Sequence, residues 1–463
     1  MKITLFFATI FALASALPAS AAPLQARQSH QSGGEEHVVI FDSAHPIPLR
    51  VHDILQSLSL SVGHPDVTHV YNNSVFRGFS ASMKSHCLDL LQNTPGVAVV
   101  EKSVQVASTA KPSSARPERR DSALAAGSAA VNYRQNAPWG LQRISSASSV
   151  SGDASRLDYT YSYQSNALGA GADIYVIDTG IYTAHSVFGG RARMGWSYEP
   201  DSSDEDGHGT HVAGTAAGSV FGVASAANII GVKALAGDGS GLSSNVIAGI
   251  DWVVQQHDAR MGQAGFVGSV MSMSLESSSP VPSINQAITA ATQAGIHSCV
   301  AAGNSATDAC RSSPASTGGT HGPSIAVAAV TIDSAIAPFS NTGACVDVYA
   351  PGMAVLSAWI GGPYTVNLLD GTSMATPHVT GLVAYAIAAN ATLAGSVELM
   401  KRWVGEAALG GVVASRKGAA GSGGGGGAGE RPLLANNGVT GGSVEGIMGM
   451  TKAAGNYTAV VVG

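Results

Sequence analysis

The chain has 463 residues, 45% of them hydrophobic and only 12% charged, with a formal net charge of −6 at pH 7. That charged share is about half the usual figure of roughly 25%, and it forms no basic stripe and no polybasic run. Neither nucleic acid nor an anionic membrane surface is therefore an expected partner.

The length allows two to four units of roughly 100–200 residues each. At the start, Lys2 precedes an apolar run over residues 3–17, and Ala19-Ser20-Ala21 offers a small-residue cleavage site, so residues 1–21 read as a secretory signal. The run falls short of the ~18 residues a membrane span needs. The protein is expected to be secreted and extracellular, with no membrane partner. Residues 37–106 read as a small α+β unit of the ferredoxin-like type. Its first strand is HVVIF, its first helix carries Val51, Ile54, Leu55 and Leu58 on one face, its second carries Met83, Cys87, Leu90 and Leu91, and GVAVVEKS closes it as a strand. Residues 107–130 are rich in Ser, Ala, Pro and Arg and have no apolar period, which predicts an exposed, protease-sensitive linker containing the pair Arg119-Arg120.

From residue 131 to about 440 the chain alternates apolar strands with small-residue helices. GADIYVIDTG, NIIGVKAL, SVMSMSL, GIHSCVAAGN and SIAVAAVTI are the strands; SSNVIAGIDWVVQQHDA and SINQAITAATQAG are helices between them. This alternation predicts an α/β unit in three layers, a mostly parallel sheet between helices. Residues 405–430, with the run GAAGSGGGGGAG, are expected to be either a disordered surface insertion or an error in the gene model. The tail 441–463 gives no reading. Sequons stand at Asn72, Asn390 and Asn456. The four cysteines are Cys87, Cys299, Cys310 and Cys345, an even count that allows two bridges only if all remain in one mature chain.

Three motifs sit where ligands bind in such sheets, beyond the carboxyl ends of strands. DIYVIDTG ends a buried strand at Asp178. EDGHGTHVAGTAAG sets His208 before a run of small residues. DGTSMATPHVTGLVAYAIAA sets Ser373 at the start of an apolar helix, with Pro377 expected in the first turn. A helix start aims free N–H groups at whatever binds there, which favours a developing oxyanion. A serine needs a base, His208, and the base needs an orienting carboxylate, Asp178. Singly, each residue is as well explained by a turn, a structural histidine or a helix cap. Together, the order Asp, His, Ser separates the chain from the chymotrypsin and α/β-hydrolase orders, and Ser373 lacks the GxSxG elbow of an esterase.

With these motifs, the stretch from NAPWGLQRISS to RPLLANNGV resembles the subtilisin-like serine proteases, and among them the fungal proteinase K branch. The resemblance implies a subtilisin-like domain over residues 131–440, and a propeptide over residues 22–130 that inhibits it. It implies a self-processed, broadly specific endopeptidase with protein and peptide substrates, expected to be a monomer; the alternative is an inactive binding protein. Self-cleavage is expected within residues 123–132, with Arg119-Arg120 as a rival cut. Asp178, His208 and Ser373 become the triad, and Asn304 in AAGNSA the side-chain oxyanion donor. Gly239, Ser240 and Gly241 on one side, and Ser274, Leu275 and Glu276 on the other, become substrate contacts. Glu276 stands where the family usually has glycine; a carboxylate there would narrow the pocket or draw basic side chains if it pointed inward, but it is expected to face solvent, since charged side chains are rarely buried unpaired. Preference then stays open between large apolar and mixed residues. A Cys310–Cys345 disulfide is implied, worth roughly 3–4 kcal/mol in the chain-entropy model, with Cys299 a buried free thiol. His211 and His378 become structural, and neither a metal nor another cofactor is expected. Where relatives carry a calcium-binding aspartate this chain has Thr331, with Asp333 two residues on; one carboxylate is a poor calcium cage unless carbonyls complete it, so structural calcium stays a possible but doubtful ligand.

Overall fold

The protein was analysed as a computed structural model that describes residues 34–108, 110–113, 131–415 and 432–439. The predicted signal segment, most of the predicted linker, the Gly-rich run, the tail and Asn456 lie outside the described residues.

The small unit is a four-stranded antiparallel sheet ordered Val67–Asn72, Arg77–Met83, Glu35–Phe41, Val97–Lys102. The helices Val51–Ser57 and Ser85–Gln92 cover one face. Successive side chains on a strand point to opposite faces, so Val39 and Phe41 pack with Leu55, Phe79 and Leu91 inside the unit. Val38 and Ile40 point the other way, join Tyr71 and Phe76, and pack on Val246, Ile247, Ile284 and Ala287 of the large unit. The unbroken apolar run VVIF thus reflects a sheet covered on both faces.

The large unit is built on nine strands in the order Ala192–Ser197, Asn228–Lys233, Ala172–Asp178, Gly268–Met273, His297–Ala301, Ile325–Val330, Val348–Pro351, Leu433–Leu434, Leu409–Gly410. All neighbours are parallel except the last pair. Ile174 and Val176 face the helices His208–Ala217 and Thr372–Ala389, through Val212, Ala216, Val379 and Leu382. Tyr175 and Ile177 face the helices Ser243–Arg260 and Pro282–Gln293, through Val246, Ile250, Ile284 and Ile288. The architecture is the expected three-layer α/β domain. The strand order reverses on either side of Ala172–Asp178, and the site forms at the carboxyl ends beside that switch point.

Residues 405–430 do not leave the fold where expected. Residues up to Ala407 complete the helix Val397–Ala407, and Leu409–Gly410 pairs with Leu433–Leu434. The insertion begins later, because Met400 and Val404 are buried and anchor this helix to the core. Pro377 is also misplaced by the sequence reading: it lies inside Thr372–Ala389, at the sixth residue rather than in the first turn. Cys310 and Cys345 form a disulfide, while Cys87 and Cys299 are free. Burial pushes the Cys299 thiol up to about 12. Among the described residues, no helix is long and apolar enough to cross a membrane.

Candidate active site

Asp178 ends its strand fully buried, and its Oδ1 lies 2.7 Å from His208 Nδ1 and accepts from the Thr179 N–H at 2.8 Å. His208 opens the helix His208–Ala217 after Gly207, whose φ of 102° belongs to the left-handed region that favours glycine. Asp204, absent from the sequence reading, fixes this corner. It accepts from Thr179 Oγ1 and Gly207 N–H at 2.8 Å each, and from Thr210 N–H at 2.9 Å. Lys233 is buried and donates to Thr179 O at 2.9 Å. The available signal was the acidic run DEDG just before a helix start, which reads as a cap for that helix. Burial pulls the His208 pKa down, but Asp178, by charge and hydrogen bond, and then Asp206 and Asp204 outweigh it. The net direction is upward from the ordinary histidine value. His211 and His378 have no such partner, and burial holds them neutral, near 3 and near 4.

Ser373 is the second residue of its helix and fully buried. Its Oγ donates to Ser274 O at 3.0 Å, and its own carbonyl accepts from Ser274 Oγ at 2.9 Å. Pro377 explains the second contact: it has no N–H to offer the carbonyl four residues back, and Ser274 supplies the missing donor. His208 Nε2 has no hydrogen-bond partner among the described residues. The Asp–His pair is therefore formed, while the serine hydroxyl is turned away from the imidazole. Asn304 Oδ1 accepts from Thr372 N–H at 2.8 Å and Thr372 Oγ1 at 2.9 Å. That fixes the carboxamide oxygen on the helix start and leaves its nitrogen toward Gly371, whose added β-carbon would lie 3.5 Å from it.

The cleft is filled by the chain itself. Gln105–Ala107 forms the middle strand between Ser240–Leu242 and Glu276–Ser277, antiparallel to both. Ser108 N–H donates to Gly239 O at 2.9 Å. Beyond Ser373, Lys111–Pro112 pairs with Val366–Asp370. This corrects one expectation: the linker does not begin at residue 107, because residues 105–108 and 110–113 lie along the cleft. A strand was illegible there because VQVAST gains its partners only from the other unit. Gly239, Ser240 and Gly241 do meet this strand. Leu275 does not line the cleft with its side chain, which is buried in the core. Glu276 does not point straight into solvent: it is half-buried, and its Oε2 accepts from the Asn304 N–H at 3.1 Å.

Outside the cleft, Thr331 Oγ1 hydrogen-bonds the Asp333 carboxylate. Among the described residues, Cys310, His321 and Cys345 lie close enough to share an ion, but both sulfurs are consumed by the disulfide. Of the sequons, Asn72 lies at the seam between the units, where its N–H donates to Asp251 Oδ1 at 2.8 Å. The Asn390 side chain caps the short helix Ala391–Ala394.

A carboxylate-oriented histidine, a serine at a helix start and an amide donor beside it define a serine-hydrolase centre. The Subtilase family matches residues 169–431, more than half of the chain, and Peptidase inhibitor I9 matches residues 27–108. The chain belongs to the subtilase family and is a serine endopeptidase that carries an I9-type propeptide. It is 42% identical over 328 residues to subtilisin-like protease 2 of Pseudogymnoascus destructans, covering 70% of this chain and 72% of that protein. It is 40% identical over 317 residues to alkaline protease 2 of Aspergillus fumigatus, covering 66% of this chain and 58% of that one. Over 259 residues it is 44% identical to subtilisin-like serine protease Pen ch 18 of Penicillium rubens, and there it spans half of the relative's length. A solved cold adapted subtilisin-like serine proteinase matches with a TM-score of 0.52 and 38% identity, covering 60% of this chain and 94% of that one.

Proposed function

We propose that this chain is the latent precursor of a secreted endopeptidase that cuts itself at the Thr109–Ala110 bond. The carrying observation is the antiparallel seating of Gln105–Ala107 and Lys111–Pro112 on either side of Ser373. An extended peptide added to sheet edges is how such clefts hold substrate. In this reading Ser373 Oγ turns from Ser274 O toward His208 Nε2, which takes its proton as the oxygen attacks the carbonyl of Thr109. Asp178 holds the imidazole and stabilises its charge. Asn304 and the free N–H groups of the helix start receive the oxyanion. The imidazolium then protonates the departing nitrogen of Ala110, and water, deprotonated by His208, releases the acyl group and regenerates Ser373. No organic cofactor takes part.

The test compares the full precursor with its Ser373→Ala form, incubated with casein and followed on a gel. The wild type is expected to shed a propeptide-sized fragment and degrade casein, and the variant to do neither. Intact casein and an uncut wild-type chain would overturn the reading.

A further inference from the structure

The residues of the cleft do more than hold a peptide backbone. Two strand ends flank Ser373. One is Ser274 to Glu276, following Gly268–Met273; the other is Gly303 and Asn304, following His297–Ala301. Ser274 exchanges hydrogen bonds with Ser373 in both directions, and Gly303 N–H donates to Thr372 Oγ1 at 3.1 Å. The gap between these two ends is thus the recess next to the nucleophile. The register sets Ala107 opposite Glu276 in an antiparallel pair. A peptide in that register carries its second following residue opposite Ser274, at the mouth of this gap.

Glu276 bridges the gap. Its Oε2 reaches the Asn304 N–H at 3.1 Å, and an added β-carbon on Gly303 would lie 2.2 Å from the same oxygen. A cavity of about 820 Å³ runs beside it along the seated strand, lined by Val106, Ala107, Ser240, Glu276, Ser277 and Ser305 among others. The Glu276 carboxylate therefore occupies the gap between the two strand ends beside the nucleophile.

We propose that Glu276 is a specificity-determining residue that closes the recess beside Ser373 and restricts the residue before the scissile bond to small, uncharged side chains. This rests on the endopeptidase reading above. A large apolar side chain would have to displace the carboxylate from its N–H partner or strip its remaining water, both unfavourable. Burial already raises the Glu276 pKa, which marks a carboxylate short of solvation. The chain's own segment agrees: the residue before Ala110 is Thr109.

The experiment measures kcat/KM on peptides that differ only in the residue before the cut, Ala, Thr, Phe or Lys. The enzymes are the mature wild type, Glu276→Gly and Glu276→Gln. Because Glu276 also holds the Asn304 N–H, the Phe to Ala ratio is read rather than either rate. Wild type should cut Phe at least about 10-fold less well than Ala, and Glu276→Gly should raise the ratio by about 10-fold or more, the scale of size discrimination in a pocket. Glu276→Gln, of equal shape, should keep the wild-type ratio. A wild type that prefers Phe, or a ratio unmoved by Glu276→Gly, overturns the proposal. Preference for Lys that vanishes in Glu276→Gln also overturns it, in favour of charge recognition. Hydrolysis of no peptide by wild type sinks the endopeptidase reading itself. Should the variants fail to mature, Thr109→Phe in the wild-type precursor keeps the test: self-processing should slow by about 10-fold, and an unchanged rate counts against a closed recess.

Discussion

At the scale of single residues, the site is governed by which backbone groups lack partners. Pro377 leaves the Ser373 carbonyl without a helical donor, and Ser274 fills that place. Thr372 holds the oxygen of Asn304 through its N–H and hydroxyl, which fixes the orientation of the carboxamide beside Gly371. Asn304→Ala should lower kcat by about 10²–10³, the magnitude known for the same donor in subtilisin itself. A fall below threefold on a casein or peptide assay would remove Asn304 from the mechanism. The upward shift of His208 has a signed consequence. A histidine with a raised pKa stays cationic to higher pH, and the base is competent only when neutral. The acid limb of kcat/KM should therefore have its midpoint above the unperturbed value of about 6.5. A midpoint below that value would show that desolvation, which opposes Asp178, wins in the mature enzyme.

At the scale of elements, the propeptide is held by its sheet face and by its tail. Asp251, on the helix Ser243–Arg260, accepts from Asn72 N–H and Asn73 Nδ2 at 2.8 Å each. Glu101 Oε1 accepts from Ser283 N–H at 2.9 Å, at the start of Pro282–Gln293, where free donors and the helix dipole favour a carboxylate. Asp251→Ala would leave Asn72 N–H partly buried without its acceptor, a loss of about 1–3 kcal/mol. The lag before a maturing precursor hydrolyses casein should shorten by about fivefold or more, since 1 kcal/mol is already a factor of about five. An unchanged lag would mean that the tail in the cleft alone sets the inhibition. The helix signals of Ser243–Arg260 and Pro282–Gln293 were plain in sequence, but that they also receive a second unit was not.

At the scale of the whole molecule, the precursor is one structure in which the site is complete and occupied by its own chain. The mature enzyme is therefore expected to begin AKPSSAR at Ala110 when first cut, which mass spectrometry of a briefly incubated precursor would read. A first fragment beginning within residues 123–132 would favour the original linker reading instead. The family, the three-layer sheet and the propeptide were legible in sequence because they are written in local patterns: apolar periods, glycines at close approaches, and residue types at fixed spacing. The seating of 105–108 and 110–113, the inward turn of Glu276, the contact of Ser373 Oγ with Ser274 O and the role of Asp204 were not. Each depends on partners far along the chain, and contacts of that kind exist only once tertiary packing has brought the strand ends together.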